Sequence, residues 1–198
     1  MRPDPGAIES HTGSSRRSNF DSSLGPGGRA ANLSSAVART HTDNTPTTAR
    51  LKIAELVESG IVPPEAADVS RFRAAIINVW RPYGVCGSVK QCPLGCIKFD
   101  TIEEANCFPY TLAYEGRCGV NGSIEHRASH EWYFYEAMRP EEVLCFINYE
   151  EPNEAAGKIK QVYHAALELV GNERPSAEDA ERLSLEVRMV VLFPLDRP

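Results

Sequence analysis

The apolar positions of this chain fall into many short extended segments, with helical spacing confined to the stretch after residue 47. Residues 72–80 form a nearly continuous apolar run, Phe-Arg-Ala-Ala-Ile-Ile-Asn-Val-Trp, which predicts a strand buried on both faces. Residues 183–192 alternate: Leu183, Leu185 and Val187 point one way, and Arg182, Ser184, Glu186 and Arg188 the other. Residues 36–42, 111–115, 123–126, 130–135, 142–147 and 160–167 read as further strands, separated by turn punctuation such as Met138-Arg139-Pro140-Glu141. Ile53, Leu56 and Val57 recur at helical spacing within residues 48–59, and Gly60 stops them. Val62-Pro63-Pro64-Glu65 opens a second short helix, and the two helices cover one face of the sheet. Short strands with few helices predict a mainly β fold, a single antiparallel double-stranded β-helix, or jelly roll.

Residues 1–35 have another texture. Ser, Gly, Arg and Pro dominate, and Ser22-Ser23-Leu24-Gly25-Pro26-Gly27-Gly28 offers nothing to pack, so a disordered or loosely packed segment is expected there. Residues 36–198 make the jelly-roll domain. With 42% hydrophobic residues in 198, one core is affordable. The net charge of −6 argues against a nucleic-acid partner and says little about small-molecule substrates. No apolar run reaches membrane-spanning length, and residues 1–10 carry no apolar segment of the secretory kind, so a cytoplasmic protein without a membrane partner is expected. A homodimer is among the assemblies this composition allows. The six cysteines (Cys86, Cys92, Cys96, Cys107, Cys118, Cys145) lack paired zinc spacing and are expected to be reduced thiols, mostly buried.

Candidate chemistry begins at His41-Thr42-Asp43. On extended backbone, residues two apart face the same way, so one imidazole and one carboxylate can share a metal ion. His164 is the best-placed third ligand, and two His with one carboxylate are the facial triad of non-haem Fe(II) oxygenases. An isolated H-x-D is weak evidence, since a solvated strand end looks the same. His126 and His130 are rival ligands. The polar face of the last strand gives a second lead. Arg182 with Ser184 makes an R-x-S pair suited to the distal carboxylate of 2-oxoglutarate, because guanidinium donates two parallel hydrogen bonds. An exposed sheet face with a Glu186–Arg188 ion pair is the competing reading. Asn78 and Trp80 share one face of the central strand and are candidate cavity residues, and Arg81 is a candidate second anion contact.

The blocks Ile76-Ile77-Asn78-Val79-Trp80-Arg81-Pro82, Pro93-Leu94, His130-Glu131-Trp132-Tyr133, Met138-Arg139-Pro140-Glu141-Glu142-Val143-Leu144 and Ser184-Leu185-Glu186-Val187-Arg188 resemble one family, in order, across residues 37–193. It is the fungal hydroxylase/desaturase family that includes the AsaB-like, CmcJ-like and gibberellin-desaturase-like proteins. The resemblance implies a 2-oxoglutarate-dependent oxygenase of secondary metabolism that uses Fe(II) and O₂ to hydroxylate or desaturate a small organic substrate. It implies that His41, Asp43 and His164 match the metal ligands, and that Arg182 or Arg188 matches the cosubstrate anchor. Departures exist: Tyr163-His164-Ala165 stands where the family has Pro-His-Thr, and the region before His41 is Gly/Ser-rich. A non-catalytic binding protein on the same fold, or a zinc hydrolase using the same triad, are the alternatives.

Overall fold

The computed structural model describes residues 2–3, 36–68, 71–83, 87–114, 117–151, 160–171, 176 and 182–195. Apart from residues 2–3, the segment 1–35 lies outside them. The strands in chain order are β1 (Arg2–Pro3), β2 (His41–Thr42), β3 (Phe72–Pro82), β4 (Leu94–Ile97), β5 (Cys107–Tyr114), β6 (Arg117–Ile124), β7 (Trp132–Phe134), β8 (Leu144–Glu150), β9 (His164–Ala166) and β10 (Ser184–Pro194), with one α-helix, α1 (Pro46–Glu58), after β2. They form two antiparallel sheets, ordered β1-β7-β4-β9-β2-β6-β5 and β10-β3-β8. Between the sheets, Trp80 and Phe146 of one meet Leu94 and Cys96 of the other, with Val89 and Met138 closing the cluster.

Several elements start or stop elsewhere than their residue patterns predict. The first helix begins at Pro46, ahead of the predicted 48–59: Thr45 caps α1 through a reciprocal box with Thr48, and Pro46 takes the first helical position, where its missing N–H costs nothing. The second helix is a single 3-10 turn, Pro64–Ala67. The stretch left between the strands predicted at 111–115 and 123–126 is itself extended: β6 covers Arg117–Ile124 and pairs with β5 throughout. His130 lies in the turn before β7 and not in an aromatic strand. Of the described cysteines only Cys96 is buried, while Cys118 and Cys145 are exposed, against the expectation of mostly buried thiols.

The central strand is buried throughout on one face and only at Ala75 on the other. Ala74, Ile76, Asn78 and Trp80 point into the core. On the opposite face Ile77 and Val79 are half-exposed, beside exposed Val187 and Met189 on β10. A continuous apolar run therefore reports a central position in the sheet here, not a layer on each side. α1 lays Ala49 on the inner face, against Ile76 and Tyr149. Strand pairing within the larger sheet also sets the register around the site. Gly122 stands opposite Thr42, and a Cβ there would lie 2.7 Å from Thr42 Cγ2 and 3.3 Å from the Tyr163 hydroxyl. Since Thr42 is fully buried between His41 and Asp43, Gly122→Val is expected to cost roughly 1–3 kcal/mol of stability by overpacking. Urea unfolding beside wild type would check this.

Candidate metal centre

β2 and β9 are adjacent, and their register sets His41 directly opposite His164. The ring centroids lie 4.5 Å apart, and Phe146 packs on His164 at 4.8 Å from the other sheet. Asp43 follows β2 by one residue and turns its carboxylate towards both rings: His41 Nε2 lies 3.7 Å from Oδ1, and His164 Nε2 4.0 Å from Oδ2. One ligand atom from each of the three falls within 4.8 Å of the others, and this is the one such group among the described residues. His126 and His130 have no place in it.

The tautomers suit a cation. His41 Nδ1 sits 2.7 Å from the Arg39 carbonyl oxygen, and His164 Nδ1 sits 3.2 Å from that of Val162. A carbonyl only accepts, so each Nδ1 carries the proton and donates it, which leaves both Nε2 lone pairs facing Asp43. Burial lowers the pKa of both imidazoles; His164 adds to the effect on His41, and Asp43 opposes it. Both rings are therefore neutral near pH 7. For Asp43, burial pushes the pKa up, but His164, Arg188, His41 and the Asn78 amide together bring it down to about 2. Two neutral imidazoles and one ionised carboxylate are the donor set of a divalent first-row metal, and the residues present fit one.

A pH dependence follows with a definite sign. The buried imidazoles take up fewer protons folded than unfolded. Stability therefore falls as pH drops below the ordinary histidine value of 6.5. Asp43 contributes stability that is intact above its ordinary 3.8 and is lost as pH falls towards about 2. The melting temperature of the metal-free protein is expected to begin falling just below pH 6.5, with a second loss under pH 3.8. A flat profile through the histidine range would contradict this burial account.

The cosubstrate and cavity candidates separate. Ser184, Glu186 and Arg188 do share the inner face of β10, by pairing with Pro82, Trp80 and Asn78. That face combines the inward direction of one reading with the ion pair of the other. It looks inward, and the Glu186–Arg188 ion pair forms at 2.7 Å. Arg188 also grips Asp43 with two donors, Nη2 to Oδ1 at 3.0 Å and Nε to Oδ2 at 3.1 Å. Burial, then Asp43, raises the Glu186 pKa. Arg182 is 7% exposed, donates to the Cys92 carbonyl and stacks 5.5 Å from the Trp80 ring centre, while its Nε has no partner among the described residues. Asn78 lies against Asp43 at 2.8 Å. Trp80 belongs to the core between the sheets. Arg81 does not reach the site: it is exposed, pairs with Leu185 on the outer face of the sheet, and donates to the Pro82 carbonyl. Alternation along the strand carries this signal, since Arg81 is odd where Asn78 and Trp80 are even. Cys96 is the cross-strand neighbour of His164, but burial pushes its thiol up to about 12, so it is no thiolate ligand.

Sequence reasoning missed Asn44, Asn148 and Gln161. Asn148 donates to Asp43 Oδ2 at 2.6 Å, Asn44 donates to Asn148 Oδ1 at 2.7 Å, and Gln161 donates to the Asn44 carbonyl at 2.6 Å. The one available signal was an Asn inside an apolar strand, Phe146-Ile147-Asn148-Tyr149, where a buried amide requires partners.

A family model described as the Oxidoreductase/YMDC permease-like domain matches residues 6–192. The chain belongs to that family. Its relatives include the fungal hydroxylases and desaturases that the sequence blocks resemble. It is 28% identical over 135 residues to Aspirochlorine biosynthesis protein N of Aspergillus oryzae, covering 67% of this chain and 53% of that one. It is 24% identical over 164 residues to Hydroxylase/desaturase efuI of Hormonema carpetanum, covering 77% and 50%. It is 31% identical over 131 residues to Alpha-ketoglutarate-dependent dioxygenase tstK of Talaromyces stipitatus, covering 62% and 42%. The chain thus spans about half the length of the curated relatives it matches. Solved structures of the iron and alpha-ketoglutarate-dependent endoperoxidase NvfI share the jelly-roll fold. One, in a different conformation, is 25% identical with a TM-score of 0.63 over 81% of this chain and 54% of that one. Another is 22% identical with the same TM-score of 0.63 over 87% and 58%.

Proposed function

We propose that this chain is a non-haem Fe(II)/2-oxoglutarate-dependent oxidoreductase that hydroxylates or desaturates a small organic molecule. One observation carries the reading: two Nε2 lone pairs and the Asp43 carboxylate converge within 4.8 Å while both Nδ1 atoms are tied to backbone carbonyls. The names of relatives support it. His41, Asp43 and His164 would hold the metal. When bound, Fe(II) with 2-oxoglutarate and O₂ supplies the oxidising power for C–H chemistry.

The chain's own residues do the rest. Phe146 packs on His164 and sets its ring. Arg182 is the proposed anchor for the distal carboxylate of 2-oxoglutarate, with Ser184 beside it. Its buried Nε–H is unspent, whereas Arg188 already holds Asp43 and Glu186. The acidic net charge of −6 speaks against a nucleic-acid partner. Among the described residues no helix is long and apolar enough to cross a membrane, and a cytoplasmic setting is part of the proposal, as is a single jelly-roll domain over residues 36–198.

Anaerobic addition of Fe(II) and 2-oxoglutarate tests the reading. A visible charge-transfer band is expected, lost in His164→Ala and shifted to higher 2-oxoglutarate concentration in Arg182→Gln. Folded protein without a band would favour the non-catalytic binding protein, for which the Arg188 clasp on Asp43 speaks.

A further inference from the structure

Outside the three ligands, the most concentrated buried polarity among the described residues is a set of asparagines. Asn44 is 1% exposed, and Asn78 and Asn148 are 0% exposed. They are joined in one direction. Asn44 Nδ2 donates to Asn148 Oδ1, Asn148 Nδ2 donates to Asp43 Oδ2, and Asn78 Nδ2 donates to the same Oδ2. Because Asn44 occupies the Asn148 oxygen as a donor, the Asn148 amide cannot turn over without breaking two hydrogen bonds.

A register shift lies within this arrangement. Along β3 and β8, Ile77 pairs with Ile147 and Ile76 with Tyr149, so Asn148 is the extra residue of a β-bulge. Strict alternation would send Asn148 and Tyr149 to opposite faces. The bulge instead turns both inward, each 0% exposed, Tyr149 against Ala49 and Asn148 against Asp43. The bulge carbonyl is pinned from the other sheet by the Thr42 hydroxyl at 3.0 Å.

We propose that Asn148, carried inward by alternation with Phe146 and oriented by Asn44, acts with Asn78 as a positioning clamp that fixes Asp43 as a single-oxygen metal ligand. This rests on the metal reading above. A carboxylate oxygen has about two lone-pair directions. On Oδ2 the two amides at 2.6 and 2.8 Å, with Arg188 Nε at 3.1 Å, use up both. Oδ1, which receives only the Arg188 Nη2 at 3.0 Å and lies 3.7 Å from His41 Nε2, is the oxygen left to a cation. A carboxylate held in this way cannot chelate through both oxygens. The site then favours small cations of regular octahedral preference over larger, irregular ones such as Ca²⁺, which accept bidentate carboxylates.

Titration with Co(II), read by its ligand-field spectrum and by calorimetry, tests the clamp without turnover. Asn148→Ala is expected to weaken Co(II) binding about 10–100-fold, as loss of a residue that orients a ligand does, and to alter the Co(II) spectrum. Asn44→Ala should give the same spectral change with a smaller loss of affinity, although Asn44 touches no ligand; it also serves if Asn148→Ala fails to fold. Co(II) affinity within about twofold of wild type in folded Asn44→Ala, with an unchanged spectrum, would overturn the clamp while leaving the metal site intact. If wild type and His164→Ala alike bind no Co(II), the metal reading itself fails, and the clamp with it.

Discussion

Replacing His164 with alanine is expected to lower divalent-metal affinity by roughly 100-fold or more, beyond the 10–100-fold typical of residues that merely orient a ligand. His164 is 3% exposed, stands opposite His41 in the sheet, and is held by the Val162 carbonyl and the Phe146 ring. No other described His, Cys or carboxylate lies where it could replace the lost nitrogen. Calorimetric titration with Fe(II) or Mn(II) under argon reads the effect. Near-normal binding by the variant would mean that the three groups are packed together for some other reason. The fold should survive, because a neutral imidazole, not a charge, is removed: burial already keeps the ring unprotonated.

The second large effect concerns the protein before any metal binds. Asp43→Ala is expected to destabilise the metal-free chain, which is not the usual outcome of deleting a metal ligand. The side chain of Asp43 satisfies two fully buried amide donors, Asn78 and Asn148, and both donors of the Arg188 clasp. Leaving a buried donor unpaired costs about 1–3 kcal/mol, so two amides cost roughly 2–6 kcal/mol, partly offset by no longer burying a carboxylate. Arg188 adds little, being half-exposed and able to keep Glu186. Equilibrium urea unfolding of the metal-free variant against wild type measures the difference. A loss under about 1 kcal/mol would show that water or side-chain rotation rescues the amides.

Much of this was legible along the chain, and the limits of what was legible have physical causes. Local rules apply wherever the relevant partner is near in sequence. His41 and Asp43 share a side because extended backbone alternates. Ser184, Glu186 and Arg188 share a face for the same reason, and the pairing with Pro82, Trp80 and Asn78 keeps it. Alternation also explains why Arg81 belongs outside, a consequence that its charge alone obscured. The start of α1 was misplaced because Thr45 and Thr48 act through a capping box that resembles a turn until the helix beyond it is seen.

The sequence alone determined a β-rich double-sheet fold, an H-x-D pair at a strand end, and the candidacy of a distant histidine, because period-two alternation and residue chemistry are properties of short stretches. Only the tertiary structure decided that His164 stands directly across from His41, that Arg188 closes on Asp43 while Arg182 keeps a donor unspent among the described residues, and that Tyr149 turns inward beside Asn148. Each of these depends on register between strands distant in the chain, and a single extra residue in β8 reverses which face its successors occupy.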